Sequence, residues 1–108
     1  MPHSDRLQRE VYYQGSVQGV GFRYTVRSLA ARFDVTGFVR NLSDGRVHLV
    51  VEGAADEVGE FLNAVKAELG HYIGETRETV LPQSGRFSAR PRSRQRSTIR
   101  TGYGATRL

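Results

Sequence analysis

The chain has 108 residues, which suffices for one small domain with a single hydrophobic core. It contains no cysteine, which excludes disulfide bonds, thiolate metal sites and a cysteine nucleophile. Its three histidines show no spacing typical of metal ligands. No stretch has the ~20 apolar residues of a membrane span, and the first residues lack the apolar run of a signal peptide. We therefore expect a soluble, cytoplasmic protein.

The net charge of +5 conceals two segments of opposite sign. Residues 1–85 contain nine basic and all eleven acidic side chains, whereas residues 86–108 contain seven arginines and no acid. The second segment is also rich in Ser, Thr and Gly, a composition that buries little apolar surface. We divide the chain into an N-terminal extension (1–8), a domain (9–90) and a basic tail (91–108) that we predict to be disordered.

The domain begins with a strand and a helix. Residues 10–16 (EVYYQGS) have the β-branched and aromatic enrichment of a strand, and residues 22–33 repeat apolar side chains at helical spacing. Residues 35–41 (VTGFVRN) form a second predicted strand. An Asp-Gly pair ends the following turn, 42–45, and favours a hairpin with residues 47–52 (VHLVVE).

The remaining elements complete a known arrangement. Residues 55–69 have helical periodicity and precede Gly70, a residue that often ends a helix. A further strand is expected within residues 72–81, and a short one at residues 86–90. This order predicts an α+β fold, a ferredoxin-like β-α-β-β-α-β sandwich with two helices packed on one face of a mainly antiparallel sheet.

This topology places two loops at the same edge of the sheet. Strands one and two run parallel with strand three between them, so their carboxyl ends lie about 10 Å apart. Those ends are the loop 16–21 and Asn41. Side chains from both ends can therefore face one small ligand.

The loop has the composition of an anion site. Gly19 and Gly21 let the backbone approach a bound group, and the following helix offers unpaired N–H groups at the positive end of its dipole. Arg23, in the first helical turn, can grip two oxygens of a phosphate. By spacing alone, a plain strand-to-helix turn with a solvated arginine fits equally well. A dinucleotide fingerprint and a P-loop are excluded, because Tyr24 stands where a third glycine is needed and Lys66 is the only lysine.

Two strings resemble a known family. Residues 15–23 (GSVQGVGFR) and 37–47 (GFVRNLSDGRV) are similar, in content and separation, to the paired signatures of the acylphosphatase family. The resemblance extends over roughly residues 9–68. It implies a ferredoxin-like fold and a hydrolase that converts an acyl phosphate to a carboxylate and inorganic phosphate without metal or cofactor.

The resemblance also implies roles for individual residues. A phosphate cradle would be formed by Gln18, Gly19, Val20, Gly21, Phe22 and Arg23. Arg23 would also act in catalysis, and Asn41 would orient the attacking water. Because the carboxylate of an acyl phosphate is a good leaving group, positioning and electrostatics suffice for this chemistry. By spacing alone, Asn41 is an ordinary residue at the start of a turn.

Other polar and aromatic residues are interpreted as structural. Asp44 is expected to serve the hairpin turn. His48 lies between two apolar residues of a strand, so we expect it on the opposite face as a surface residue. Tyr12, Tyr13 and Tyr24 are interpreted as packing residues rather than as platforms for nucleic-acid bases.

The last third of the chain leaves alternatives open. The Gly-Pro pair usual in the family is absent near Gly70, and only residues 85–90 resemble its final strand. The basic tail supports a second hypothesis, a module that binds nucleic acid through this tail, although the body is acidic and lacks an RNP-like signature. A third is a specialised phosphoanhydride substrate, such as carbamoyl phosphate. We predict a monomer without a membrane partner.

Overall fold

A computed structural model describes residues 5–84 and 106–108. The strands are β1 (Arg6–Gly15), β2 (Val35–Asn41), β3 (Val47–Ala54), β4 (Ile73–Pro82) and β5 (Thr106–Arg107). The helices are α1 (Phe22–Ala30) and α2 (Ala55–Leu69), and a 3-10 turn (Gly70–Tyr72) follows α2. Neither helix in the described part of the chain is long and apolar enough to cross a membrane.

The strands form one antiparallel sheet in the order β4-β1-β3-β2-β5, with both helices on one face. The predicted ferredoxin-like sandwich is therefore confirmed. Alternate residues of the three central strands pack against the apolar stripes of the helices. This core includes Val11, Val17, Val26, Val39, Leu49, Val51, Val58, Phe61 and Val65.

The register of the sheet brings the ends of β1 and β2 to the same edge. Tyr13 of β1 and Asn41 of β2 both pair with Val47, which lies between them on β3. The two residues are therefore at the same height in the sheet, two strand spacings or about 10 Å apart. The loop after β1 and the hairpin after β2 consequently lie side by side.

Some element bounds differ from those predicted. β1 begins at Arg6, four residues early, because residues 6–9 continue the ladder with β3 although their side chains are mostly polar. α1 ends at Ala30 rather than at residue 33, since Phe33 N–H turns back to the carbonyl of Ala30. The Phe33 ring still packs on Phe61, with ring centroids 5.9 Å apart.

The end of the chain supplies the edge strand β5. Thr106 and Arg107 pair with Val39 and Phe38 of β2, and Leu108 N–H donates to the carbonyl of Gly37 over 3.0 Å. Residues 106–108 are therefore ordered, whereas the whole tail was expected to be disordered. Their order has two causes: the edge of β2 offers backbone hydrogen-bonding groups, and Leu108 packs on the core. The predicted strand at residues 86–90 and the rest of the tail lie outside the described residues.

The sheet face away from the helices carries buried polar groups. His48 is only 4% exposed and Glu52 2% exposed. The face predicted for His48 is correct, but the prediction of a surface position is wrong. The rings of Tyr12 and Phe38 lie against the imidazole and exclude water from it.

Candidate functional site

The loop between β1 and α1 contains two left-handed residues. Gly19 and Gly21 have φ angles of 83° and 77°, a region that residues with a Cβ rarely adopt. An added Cβ at either glycine would meet no atom within 4 Å, so the backbone conformation alone requires glycine there. Gly21 is also the N-cap of α1. The loop thus turns sharply into the helix and leaves open space above its backbone.

The start of α1 is electrostatically suited to an anion. Thr25 N–H donates to the Gly21 carbonyl over 2.9 Å, which begins the backbone ladder of α1, and the N–H groups before Thr25 lie at the open end of the helix. The first turn contains no acidic residue, and Gly21 has no side chain that caps it. The positive end of the helix dipole is therefore not offset locally. Arg23, the second residue of the helix, is half-buried and adds a cationic side chain at this end.

Contacts with the rest of the fold hold the loop between β1 and α1 at both of its ends. Ser16 N–H donates to the carbonyl of Tyr72 over 2.9 Å, and the Val17 side chain is fully buried. At the other end the Phe22 ring is buried against Tyr13, with ring centroids 5.3 Å apart. These contacts fix the backbone of the loop against the sheet.

The hairpin between β2 and β3 is a tight turn beside this loop. Leu42 N–H donates to the Arg46 carbonyl over 2.8 Å, and Gly45 N–H donates to the Leu42 carbonyl over 3.1 Å. Asp44 accepts from the backbone N–H and the side chain of Arg46 at 3.0 and 2.9 Å, which confirms its role in the turn. These bonds, the backbone N–H first, lower the pKa of the Asp44 carboxyl.

Gln18 joins the loop to the hairpin. Its Nε2 group donates to the carbonyls of Leu42 and Arg46 at 2.8 and 2.9 Å. The family resemblance predicts Gln18 in the phosphate cradle, and in the structure its amide nitrogen donates to the hairpin that follows Asn41. Nothing in the spacing of the sequence indicates this bridge, since the partners are backbone carbonyls 24 and 28 residues away.

The predicted site residues form one stretch of the loop and helix and one position at the neighbouring strand end. The residues numbered 18–23 run without interruption from the loop into the first turn of α1. Phe22 can offer only its backbone N–H because its ring is in the core, whereas Val20 is 37% exposed. Asn41, half-buried, is the last residue of β2. The Gln18 bridge fixes these two parts relative to each other.

Among residues 5–84 and 106–108, no group of three or more His, Asp or Glu side chains is arranged to hold a metal ion. The Arg23 guanidinium and the backbone N–H groups of the loop can only donate hydrogen bonds, which suits them to an anion.

Comparison with known proteins agrees with this geometry. The acylphosphatase family model matches residues 9–89. The chain is 49% identical over 61 residues to an acylphosphatase of Trichormus variabilis and 52% identical over 58 residues to one of Treponema denticola. These matches cover 56% and 54% of this chain and span 60% and 62% of the lengths of those relatives.

A solved structure extends the similarity over most of the domain. The crystal structure of acylphosphatase from Bacillus subtilis superposes with a TM-score of 0.67 and 31% identity, and the match covers 75% of this chain and 91% of that one. The family match includes both the glycine loop and the hairpin after β2. The chain belongs to the acylphosphatase family.

Proposed function

We propose that this protein hydrolyses an acyl phosphate to a carboxylate and inorganic phosphate. One observation carries the proposal: a left-handed glycine loop opens into a helix whose first turn has no acidic residue, and Gln18 ties this loop to the hairpin after Asn41. Such a loop is built for the oxygens of a phosphoryl group. Membership of the acylphosphatase family supports the same reaction.

In this proposal the cradle holds the phosphoryl group before and during the reaction. The backbone N–H groups of residues 19–23 donate to its oxygens, and the Arg23 guanidinium donates two parallel hydrogen bonds to it. Charge on these oxygens is neutralised by donors that are already in place, so little reorganisation is required in the transition state. Arg23 is therefore the main phosphate-binding and catalytic residue.

Asn41 positions the water. Its carbonyl oxygen accepts a hydrogen bond from water while its NH₂ group donates, but at neutral pH the side chain cannot take a proton. The water oxygen attacks phosphorus, the bond between phosphorus and the acyl oxygen breaks, and the carboxylate leaves. The water proton passes to a phosphoryl oxygen of the substrate, so no general base is required.

Several finer properties remain predictions. We expect a small-molecule acyl phosphate, including a specialised phosphoanhydride such as carbamoyl phosphate, as substrate. We also expect a monomeric, cytoplasmic enzyme that needs no metal. The alternative of nucleic-acid binding depends on the basic tail, whereas family membership favours hydrolysis.

The proposal is tested by the release of benzoate and phosphate from benzoyl phosphate in the presence of EDTA. We expect turnover well above spontaneous hydrolysis for the wild type. Asn41→Ala should lower kcat on the order of a hundredfold with little change in KM, because the water loses its orientation and the cradle is intact. Asn63→Ala, at an exposed position of α2, is the matched control and should behave as wild type. Wild-type turnover equal to the buffer blank would overturn the proposal.

A further inference from the structure

A buried histidine lies directly beneath the hairpin that follows Asn41. Nδ1 of His48 accepts a hydrogen bond from Arg40 Nε at 3.1 Å, and its Nε2 lies 2.8 Å from Glu10 Oε2. The imidazole stacks on Tyr12, with ring centroids 4.5 Å apart and planes inclined by 13°. The edge of the Phe38 ring closes the other side, with centroids 5.5 Å apart. The imidazole is thereby held by β1 and β2 together.

These partners define the protonation state of the ring. The guanidinium of Arg40 can only donate, so Nδ1 of His48 must carry a lone pair. The carboxylate of Glu10 can accept the proton on Nε2. The bonding pattern is therefore that of neutral imidazole with its hydrogen on Nε2. In the imidazolium form, N–H groups on Nδ1 and on Arg40 would point at each other.

The charges around the ring favour the neutral form as well. Burial lowers the pKa of His48 below its ordinary value of 6.5, and Arg40 and Arg46 lower it further, whereas Glu10 opposes them. Among the described residues, Tyr12 is the other titratable group against the ring. Burial and Glu10 raise the pKa of its hydroxyl, so it is neutral in the relevant range. On the far side of β1, Arg77 of β4 pairs with Tyr12 in the sheet.

The histidine is connected to the candidate catalytic residue by two short routes. Arg40 pairs with His48 across the sheet and is bonded covalently to Asn41. On the second route, the guanidinium of Arg46 lies 4.6 Å from the centre of the Tyr12 ring, which stacks on His48. The backbone carbonyl of Arg46 accepts from both Leu42 and Gln18. Arg40 and Arg46 therefore connect the imidazole to the two ends of the turn that follows Asn41.

We propose that His48 is a positioning residue for the reaction, whose neutral imidazole, fixed between Arg40 and Glu10, holds Asn41 in place and whose protonation displaces it. The catalytic part of this inference rests on the proposed function; the structural coupling of His48 to Asn41 does not. When Nδ1 gains a proton, its hydrogen bond from Arg40 is lost and the two donors must separate. Because Arg40 adjoins Asn41, the water-orienting amide then leaves its position.

The coupling is tested without substrate by an NMR titration of the full chain. The ring protons of His48 and the backbone and side-chain signals of Asn41 are followed from pH 8 to the acid limit of folding. We expect both residues to titrate with the same midpoint. In Glu10→Gln, which removes the carboxylate that raises the pKa of His48, both midpoints should move together to lower pH. Asn41 signals that stay constant, or that titrate apart from His48 in either protein, would overturn the inference.

The catalytic consequence is tested by the pH dependence of benzoyl phosphate hydrolysis. We expect kcat of the wild type to fall about tenfold as His48 is protonated, with KM unaffected, since the cradle does not move. His48→Gln cannot titrate and should lack this acid limb, whereas the substrate's own ionisation affects both proteins equally. An identical limb in the variant would contradict the catalytic role. If neither protein hydrolyses the substrate, the proposed function fails, and the NMR titration still decides the coupling.

Discussion

The side-chain amide of Gln18 donates to the carbonyl oxygen of Leu42 over 2.8 Å, which joins the glycine loop to the turn after the neighbouring strand. The same nitrogen donates to the Arg46 carbonyl over 2.9 Å. The proposed phosphate-binding residue, Arg23, follows the glycine loop, and the proposed water-binding residue, Asn41, directly precedes the turn. Gln18 Nε2 therefore links the loop to the turn, and we propose that this link sets the distance between Arg23 and Asn41.

Gln18→Ala should reduce both stability and turnover. Loss of two hydrogen bonds costs about 1–3 kcal/mol of unfolding free energy, and kcat falls because Asn41 is no longer fixed relative to the cradle. Urea denaturation and benzoyl phosphate kinetics measure the two effects. Gln18→Glu should be worse than the alanine variant, since a carboxylate would face two carbonyl oxygens. Gln14→Ala, at an exposed position of β1, is the control. A Gln18→Ala protein with wild-type stability and kcat would show that the bridge has no role.

The left-handed backbone of Gly21 predicts a difference between two substitutions. Asparagine tolerates this conformation, whereas valine is strongly disfavoured there. We expect Gly21→Val to cost at least about 1–2 kcal/mol of unfolding free energy and to weaken phosphate binding, because the cradle must change shape. Gly21→Asn should be milder in both respects. Thermal unfolding and calorimetric titration with inorganic phosphate distinguish them; equal losses would contradict the assigned conformation.

The low pKa of His48 predicts a pH dependence of stability. Between the folded-state pKa and the unfolded value of about 6.5, the unfolded chain binds more protons than the native protein. The free energy of unfolding therefore decreases as pH falls below about 6.5 and stops decreasing, for this group, below the folded-state pKa. Urea denaturation at pH 7.5 and 5.5 should show that the free energy of unfolding falls more in the wild type than in His48→Gln. The exposed His71 is present in both proteins, so the difference between them isolates His48. Equal losses would rule out a buried neutral His48.

The basic tail is predicted to be dispensable for chemistry. Replacement of the four tail arginines at positions 92, 94, 96 and 100 by glutamine alters no residue of the cradle or β5 and leaves Asn41 in the sequence. We expect kcat for benzoyl phosphate within about twofold of wild type at moderate salt, where long-range attraction of the anionic substrate is screened. Any RNA binding by the wild type should weaken steeply with salt and disappear in the variant. A large loss of kcat would place part of the site in this segment.

Much of the fold follows from apolar periodicity. Two helical stripes, three strands and one hairpin turn, together with a fourth strand expected within residues 72–81, predicted the ferredoxin-like sandwich. The first residues of β1 were missed since their ladder is formed by the backbone and their side chains are mostly polar. β5 was missed for a similar reason: two paired residues and the side chain of Leu108 are too short a signal.

The site was predicted less completely than the fold. The glycines and Arg23 indicated an anion loop because their chemistry is local, and the family resemblance added Asn41. The Gln18 bridge and the environment of His48 depend on contacts between residues far apart in sequence. His48 stands in an alternating strand, where a polar residue normally faces water. Only the tertiary arrangement of Tyr12, Phe38 and Arg40 around it accounts for its burial.

The most direct measurement compares kcat/KM for benzoyl phosphate between Arg23→Ala and Arg27→Ala. Both variants remove one arginine from α1, but Arg23 lies in the first turn beside the cradle and Arg27 is exposed in the last turn. If Arg23 binds the phosphoryl group in the transition state, its loss should lower kcat/KM by on the order of a hundredfold or more, whereas Arg27→Ala remains within about twofold of wild type. Equal activity of the two variants, with both demonstrably folded, would contradict a phosphate cradle at the start of α1.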